Sequence, residues 1–483
     1  MYYKLKDNIL FRKYNSYGYI SDNSEYGYRM LNDSQHYLGE KYVSATGAIM
    51  LSMLNKSPRL LDDIVLELLS LFVNVDYELL KQDVKEFFDF FVTEGYLSCG
   101  KTADTCKDQS FKDNTNLDNN NLIQRTITTN EYNSVEINPN EFLRSIHIEI
   151  ATACNERCIH CYIPNKYKNT FIDSNLFYRI INEGRKMNII HVTLSGGEPL
   201  LHKDILDFLK KCRKLDLSVN ILSNLTFLNE DIISEMKKNP LLSVQTSLYS
   251  MDAKIHDSIT KLNGSFEKTT AGILRLCNEG IPVQISCPIM KQNKTCYVDV
   301  LHWGWAHNIA VAIEPIIFAA YDHSGYNLEN RLSIEEINNV LTTQIKEGYA
   351  KSFHDEAKEK EKLTENDPIC SICRYSFCVT TSGKVFPCAG WQNNVIGDLT
   401  QQTIKEIWET SEKIHNLRKI KLSQFPQCVN CIDRGYCTIC MMWNSNENLD
   451  GDPFKINTYR CKVASIKHQK INKYLQETLS KKK

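Results

Sequence analysis

The stretch that decides the fold is RSIHIEIATACNERCIHCYIPN, residues 144–165. Its opening residues alternate aliphatic and polar side chains, the period of a half-buried β-strand. The strand runs into a loop that carries Cys154, Cys158 and Cys161, a C-x3-C-x2-C spacing. Three thiolates this close together can wrap one metal centre from a single loop. An iron–sulfur cubane normally takes four thiolates, so three leave one iron open to a substrate or cofactor. A structural zinc site would need a fourth protein ligand. His160 shares the turn with Cys161 and reads as an aromatic neighbour, not as that ligand.

Downstream, the next strand ends in LSGGEP, residues 194–199. Gly196 and Gly197 allow close backbone approach and unusual φ, and Glu198 then projects from a strand end, where barrel enzymes place their chemistry. From residue 143 onward, RSIHIEIA, NIIHVTLS, LSVNILS, LLSVQTS, IPVQISCPI and AVAIEPIIF read as short strands separated by amphipathic helices such as FYRIINEGRKM and DILDFLKKCRKLD. This alternation predicts a parallel sheet covered by helices. Six βα units are too few for a closed eight-unit barrel, so a partial barrel over residues 143–325 is expected. A charged helical bridge follows over 326–368, then a Cys-rich region over 369–463 and a basic C-terminal tail over 464–483, a Lys-rich helix or tail expected to lie solvated on the surface.

In these motifs and their order the sequence resembles the radical S-adenosylmethionine (radical SAM) enzymes, which carry CxxxCxxC after the first strand of a partial (β/α)6 barrel and GGE on the second. The resemblance implies an α/β fold. It also implies that Cys154, Cys158 and Cys161 hold a 4Fe-4S cluster whose open iron chelates S-adenosyl-L-methionine (SAM). Gly196, Gly197 and Glu198 would receive the methionine ammonium, and Ser247 and Asn293 would contact SAM. Many relatives carry Arg in an HDxxR stretch; here HDSITK, residues 256–261, has none. Reductive cleavage of SAM would give a 5′-deoxyadenosyl radical that abstracts a substrate hydrogen.

The chain has 18 cysteines, nine of them between residues 370 and 461. One block is Cys370, Cys373, Cys378 and Cys388; the other is Cys428, Cys431, Cys437 and Cys440, followed by Cys461. Nine thiols suffice for two cubanes with one to spare; the competing reading is zinc in at least one site. The pattern resembles the SPASM domain of peptide-modifying radical SAM enzymes, CX9–15GX4C…CX2CX5CX3C…C. It departs in having two residues, not three, between Cys437 and Cys440. The resemblance implies a distal cluster on Cys428, Cys431, Cys437 and Cys461. A proximal cluster would sit on Cys373, Cys388 and Cys440 with Cys370 or Cys378, making three 4Fe-4S clusters in all.

Upstream, residues 1–31 alternate in the manner of two or three antiparallel strands. Three helical signals follow: VSATGAIMLSML; LLDDIVLELLSLF, with Ser57 and Pro58 as its opening; and DYELLKQDVKEFFDFFVTEG, capped by Asp76 and stopped at Gly95. The expected unit, 1–100, is of winged-helix type. It holds 10 Lys/Arg against 14 Asp/Glu, a net charge of −4, so it lacks the basic stripe that DNA binding requires. It is similar to the peptide-recognition element (RRE) of ribosomally made, post-translationally modified peptide (RiPP) systems, which adds a leader peptide as an extra strand. The leader is expected to pair near residues 26–31 and to pack on the Phe87/Phe91 helix. Residues 101–142 are an Asn-rich linker.

The whole-chain balance, 57 Lys/Arg to 58 Asp/Glu, gives no reason to expect nucleic-acid or anionic-membrane partners. With no secretory h-region and no apolar run of membrane-spanning length, a cytoplasmic protein is expected. The combined expectation is a RiPP maturase that forms thioether or carbon–carbon crosslinks in a precursor peptide, with a flavodoxin or ferredoxin as electron donor. Peptide epimerisation is the alternative within this chemistry. A non-enzymatic iron–sulfur redox sensor or peptide-binding scaffold is the alternative outside it. Ala389 stands where sulfatase-type enzymes carry an Asp base, which disfavours Ser/Cys oxidation.

Overall fold

The computed structural model describes residues 1–22, 38–72, 75–108 and 142–480. The expected leader-pairing stretch, 26–31, and most of the Asn-rich linker lie outside these residues. In the N-terminal unit, β1 (Tyr2–Leu5), β2 (Leu10–Lys13), β3 (Tyr17–Ser21) and β4 (Glu40–Ser44) precede α1 (Ala45–Ser52). Then come β5 (Arg59–Leu60), α2 (Leu61–Leu69), α3 (Tyr77–Thr93) and β6 (Leu97–Gly100). The strands form two three-stranded sheets, β5-β1-β6 and β2-β3-β4. Asp76 caps α3 by accepting from the amides of Glu78 and Leu79, and Gly95 takes a positive φ of 89° just past its end. Ser57 and Pro58 do not open α2. Arg59 and Leu60 pair with Tyr3 and Tyr2 instead, and the helix begins only at Leu61.

The central domain follows the expected alternation. Its strands are β7 (Ser145–Ala151), β8 (His191–Gly196), β9 (Ser218–Leu222), β10 (Leu242–Ser247), β11 (Val283–Pro288) and β12 (Ala310–Glu314), all parallel. The covering helices are α4 (Ser174–Lys186), α5 (Ile205–Lys214), α6 (Glu230–Lys237), α7 (Ala253–Thr260), α8 (Ser265–Asn278) and α9 (Tyr297–Ala306). Ile146, Ile148 and Ile150 of β7 are buried in one core with Phe177, Ile180 and Phe208 of the covering helices. Phe177 and Phe208 stack with centroids 3.8 Å apart, worth about 0.5–1.5 kcal/mol beyond area burial. The opposite face of the sheet is polar. His147 lies level with Thr193 and Asn220 across three strands, and Glu149 lies level with Ser195. A closed eight-stranded barrel fills this space with branched apolar residues; here the inner wall is lined with hydrogen-bonding groups.

Two regions extend this core. The Cys-rich region does not stand apart: β13 (Ser376–Val379) pairs in parallel with β7 and continues antiparallel through β14 (Lys384–Phe386) and β15 (Gly397–Asp398). The sheet thereby grows to nine strands, and β7, the strand that feeds the Cys loop, gains a partner on what would be its open edge. Of the two forms expected for the basic C-terminal segment, the helix is the one formed: it ends a 23-residue helix, Thr458–Ser480, here α16 once α10 (Ile334–Lys346), α11 (Ala350–Glu361), α12 (Ile404–Thr410), α13 (Glu412–Arg418), α14 (Pro426–Val429) and α15 (Met441–Glu447) are counted, and it is not wholly solvated. Val463, Ala464 and Ile471 are buried along it, and it packs on α10 and α11.

The N-terminal unit docks where the barrel strands begin. Arg12 is buried; its Nε donates to the Ile189 carbonyl at 3.0 Å, and its guanidinium pairs with Asp216. Leu10, Tyr14, Tyr17 and Tyr19 form a core with Phe142, Ile190 and Leu241. No helix among the described residues is long and apolar enough to cross a membrane.

Candidate functional site

The Cys loop leaves the C-terminal end of β7 and is clipped to the end of β8. The Gly197 amide donates to the Ala151 carbonyl at 2.6 Å, and the Glu198 amide to that of Ala153 at 2.9 Å. A Cβ on Gly196, which has φ +125°, would sit 1.8 Å from the Ala151 oxygen, and one on Gly197 would sit 2.4 Å from those of Thr152 and Ala153. The two glycines are therefore required by backbone packing at the root of the loop. Beyond the root, the Arg157 and Ile159 amides donate to the carbonyls of Thr260 and Ile259 at 2.9 and 3.0 Å. Tyr326 Oη holds the Cys161 carbonyl at 2.6 Å, Asn330 Nδ2 that of Ile159 at 3.1 Å, and Asn327 Nδ2 that of His160 at 3.2 Å. Cys154, Cys158 and Cys161 are all half-buried on this braced loop. Burial pushes the Cys154 thiol up to about 12. It raises Cys158 further, with Glu156 and Cys161 adding to the effect. Such thiols stay protonated until a metal centre takes their protons' place.

The other expected site residues divide. Glu198 is 0 % exposed; its Oε1 accepts from the Leu200 amide and Ser223 Oγ, its Oε2 from the Asn224 amide, at 2.7–2.9 Å. Burial raises its pKa to about 7 against the pull of those donors. Glu198 thus fixes the turn from inside, while the half-buried backbone of Gly196 and Gly197 lines the mouth. Ser247 closes β10 at the same mouth and is half-buried. Asn293 does not fit the SAM contact expected of it. It is 0 % exposed, its Nδ2 donates to the carbonyls of Tyr249 and Pro288, and its Oδ1 accepts from the Met290 amide. Its amide is spent on clamping a loop. His160 meets Tyr249 edge-on, with Nε2 2.8 Å from the hydroxyl.

In the Cys-rich region the thiols fall into two sets that lie within electrostatic reach of one another. Cys428 is pushed up to about 11 by burial and by its neighbours Cys437, Cys461 and Cys431. Cys388 is pushed up to about 12 by burial and by Cys440 and Cys370. Cys437 and Cys440 belong to different groups although only two residues separate them. The chain between them is non-helical and both have extended backbone. An odd separation on extended backbone points side chains to opposite sides. Cys373 is fully buried with φ +55°; burial pushes it up to about 12, the nearby Arg418 opposes, and Cys370 is its thiol neighbour. Cys378 is buried on β13 with Glu149 and Cys388 as its neighbours. Among the described residues, no three His, Cys, Asp or Glu side chains converge as ligands of a single metal ion do.

Residues 148–304 match the radical SAM superfamily, and residues 370–432 match SPASM, an iron–sulfur cluster-binding domain. The chain is a radical SAM enzyme with a SPASM domain. Its cofactors are SAM and 4Fe-4S clusters, and the SPASM domain is a site of auxiliary iron–sulfur binding. This radical SAM/SPASM enzyme is 24% identical over 351 residues to the AdoMet-dependent heme synthase of Methanosarcina barkeri, a match that spans 65% of this chain and 96% of that protein. It is 23% identical over 355 residues to the antilisterial bacteriocin subtilosin biosynthesis protein AlbA of Bacillus subtilis, spanning 69% of this chain and 75% of that one. The fold likeness extends further. The crystal structure of Streptococcus suis SuiB bound to precursor peptide SuiA superposes with a TM-score of 0.59 at 13% identity, covering 95% of this chain and 99% of that one.

Sequence reasoning missed one feature of the site. Glu149, Tyr162 and Gln392 meet on the inner wall just below the Cys loop, where Gln392 Nε2 donates to Glu149 Oε1 at 2.7 Å. The only sign of it in the sequence is a carboxylate at an inward position of the strand before CxxxCxxC.

Proposed function

We propose that this enzyme matures a ribosomally made precursor peptide by introducing thioether or carbon–carbon crosslinks. The observation that carries the reading is the N-terminal unit. A radical SAM barrel with a SPASM domain needs no such unit for SAM chemistry, yet this chain keeps one latched to the barrel through Arg12. Among the described residues β4 pairs only with β3, so its outer edge is open to an added strand. The C-terminal end of α3 lies alongside: Lys41 pairs with Glu94 at 3.0 Å, and Gly47, just past β4, abuts Phe87. An open edge beside an apolar helix is the geometry of strand-addition peptide capture. We place the leader on β4.

In this reading Cys154, Cys158 and Cys161 hold the SAM-binding cluster. Cys370, Cys373, Cys388 and Cys440 hold a proximal auxiliary cluster, and Cys428, Cys431, Cys437 and Cys461 a distal one. The thiol groupings support these sets; Cys370 and Cys378 both neighbour Cys388, and Cys370 is preferred because it also neighbours Cys440. When bound, SAM and its cluster supply hydrogen-atom abstraction. The chain's own residues do the rest: Gly196, Gly197 and Ser247 line the SAM side of the mouth, the polar inner wall receives the peptide, and the SPASM domain covers the edge of β7. A one-electron donor of flavodoxin or ferredoxin type supplies reducing equivalents.

The test is anaerobic co-expression with short peptides encoded beside the gene, read by mass spectrometry. A peptide that loses two hydrogens for each crosslink supports the function, and substitution of Tyr42 and Val43 by Pro should abolish leader binding while iron content stays unchanged. If no peptide is altered, the function fails.

A further inference from the structure

We infer that Glu149 is a substrate contact: its carboxylate receives a hydrogen-bond donor from the peptide in the barrel, a cationic side chain being the best match. The inference rests on the peptide-maturation reading and names the chemistry that one wall of the site selects.

Glu149 lies in the C-terminal half of β7. Its neighbours Ile148 and Ile150 point outward into the apolar core, so its own side chain points to the polar inner wall beside Ser195. It is 1 % exposed. Oε1 accepts from Gln392 Nε2, which is itself held to the Ala389 carbonyl at 2.9 Å. Oε2 has no hydrogen bond of normal geometry among the described residues, although Tyr162 stands close enough to favour the charged form. No Lys or Arg is among the groups that act on it, and burial pushes its pKa up to about 7. An ionised carboxylate in such a place is costly unless something pairs with it.

A purely structural acid in this protein looks different. Glu235 is just as buried, but it holds Arg213 and, at 3.1 Å, Lys238. Glu198 is surrounded by three donors. Glu156 also has a buried oxygen without a partner, but its other oxygen accepts from the Cys158 thiol, so it belongs to the cluster loop. Of the buried glutamates among the described residues, Glu149 is the one that stands where the two Cys-bearing regions meet. Tyr162 directly follows Cys161, Gln392 lies four residues past Cys388, and Cys378 and Tyr321 are the remaining neighbours. Oε2 is enclosed as well as unpaired, so the wall around it must shift to admit a peptide donor, and that donor would complete its shell.

The test compares E149Q with the wild-type holoenzyme. Gln keeps the shape and can still accept from Gln392, but it removes the charge. Iron content and SAM affinity should match the wild type, and the melting temperature at pH 8 should be equal or higher. Crosslinking of the precursor peptide identified by co-expression should fall at least about tenfold, the scale of a lost hydrogen bond to a charged group. Replacing Lys or Arg near the modified residues of that peptide by Gln should cost the wild type more than it costs E149Q. A lowered melting temperature would make Glu149 a structural hub, weakened SAM binding would make it a cofactor contact, and undiminished crosslinking would leave it no role; each overturns the inference. If the wild type alters no peptide, the maturation reading fails, and the melting comparison still decides whether Glu149 is structural.

Discussion

The two ends of the barrel treat buried charge in opposite ways. At the floor Arg12 is surrounded by acceptors: the carbonyls of Ile189, Phe11 and Asp216, and the Asp216 carboxylate. At the mouth, among the described residues, Glu149 faces no cation and Glu156 keeps an oxygen without a partner, while burial pushes the Cys154 and Cys158 thiols up. The floor is finished by the chain itself. The mouth is left for partners the chain does not encode, as parallel barrels do when stability and chemistry are assigned to opposite strand ends.

The sharpest way to break the mouth is at its root. G196V places side-chain atoms against the Ala151 carbonyl at a φ that Val does not adopt. The Cys loop should lose its register, and iron should fall from about 12 to about 8 per chain as one cubane is lost. SAM cleavage should vanish while both auxiliary clusters remain. An unchanged iron count would show that the clip is dispensable.

At the floor the effect should be on stability and not on metal. R12M takes the guanidinium from the one-third-exposed Asp216 and from the carbonyls of Ile189, Phe11 and Asp216, and losing hydrogen bonds to a charged group typically costs about 1.5–3 kcal/mol. Lys56 Nζ is 3.7 Å from the Asp216 carboxylate and softens that loss. Chemical denaturation should show the drop with iron content intact. A loss of iron without a loss of stability would reverse the assignment of the two ends.

The smallest effect is a slope. The folded Glu149 carboxyl keeps its proton to about pH 7, whereas the ordinary value is 4.5. Between these values the unfolded chain binds fewer protons than the folded one, so the acid makes stability fall as pH rises. E149Q lacks this term. Its stability relative to the wild type should climb through that window and level off above it, as read by denaturant titrations at several pH values. A flat difference would mean that Glu149 is paired in solution.

Much of this contrast was legible in the sequence, and the reason is range. The six barrel strands announce themselves through local alternation, the Cys loop through spacing within one turn of chain, and the Asp76 cap through its neighbours. What was not legible depends on contacts far apart in sequence. Nothing in SFCV, residues 376–379, says that it will pair with β7, and nothing in Gln392 says that it will meet Glu149. Asn293 carried the right residue type for a ligand contact, but its amide is taken up by backbone groups that only the folded loop brings near. The expected opening of α2 at Ser57 and Pro58 failed for the same reason: pairing of Arg59 and Leu60 with β1 overrides a local start signal. The basic tail hid its apolar face because Val463, Ala464 and Ile471 are sparse among lysines.

The central claim is that both Cys regions are cluster sites around one polar lumen. Iron, sulfide and zinc per chain on anaerobically reconstituted protein test it most directly. About 12 iron with matching sulfide and little zinc is the expected result, three cubanes in all. About 4 iron with zinc in the remaining sites would contradict it, leaving a radical SAM core beside a structural metal domain.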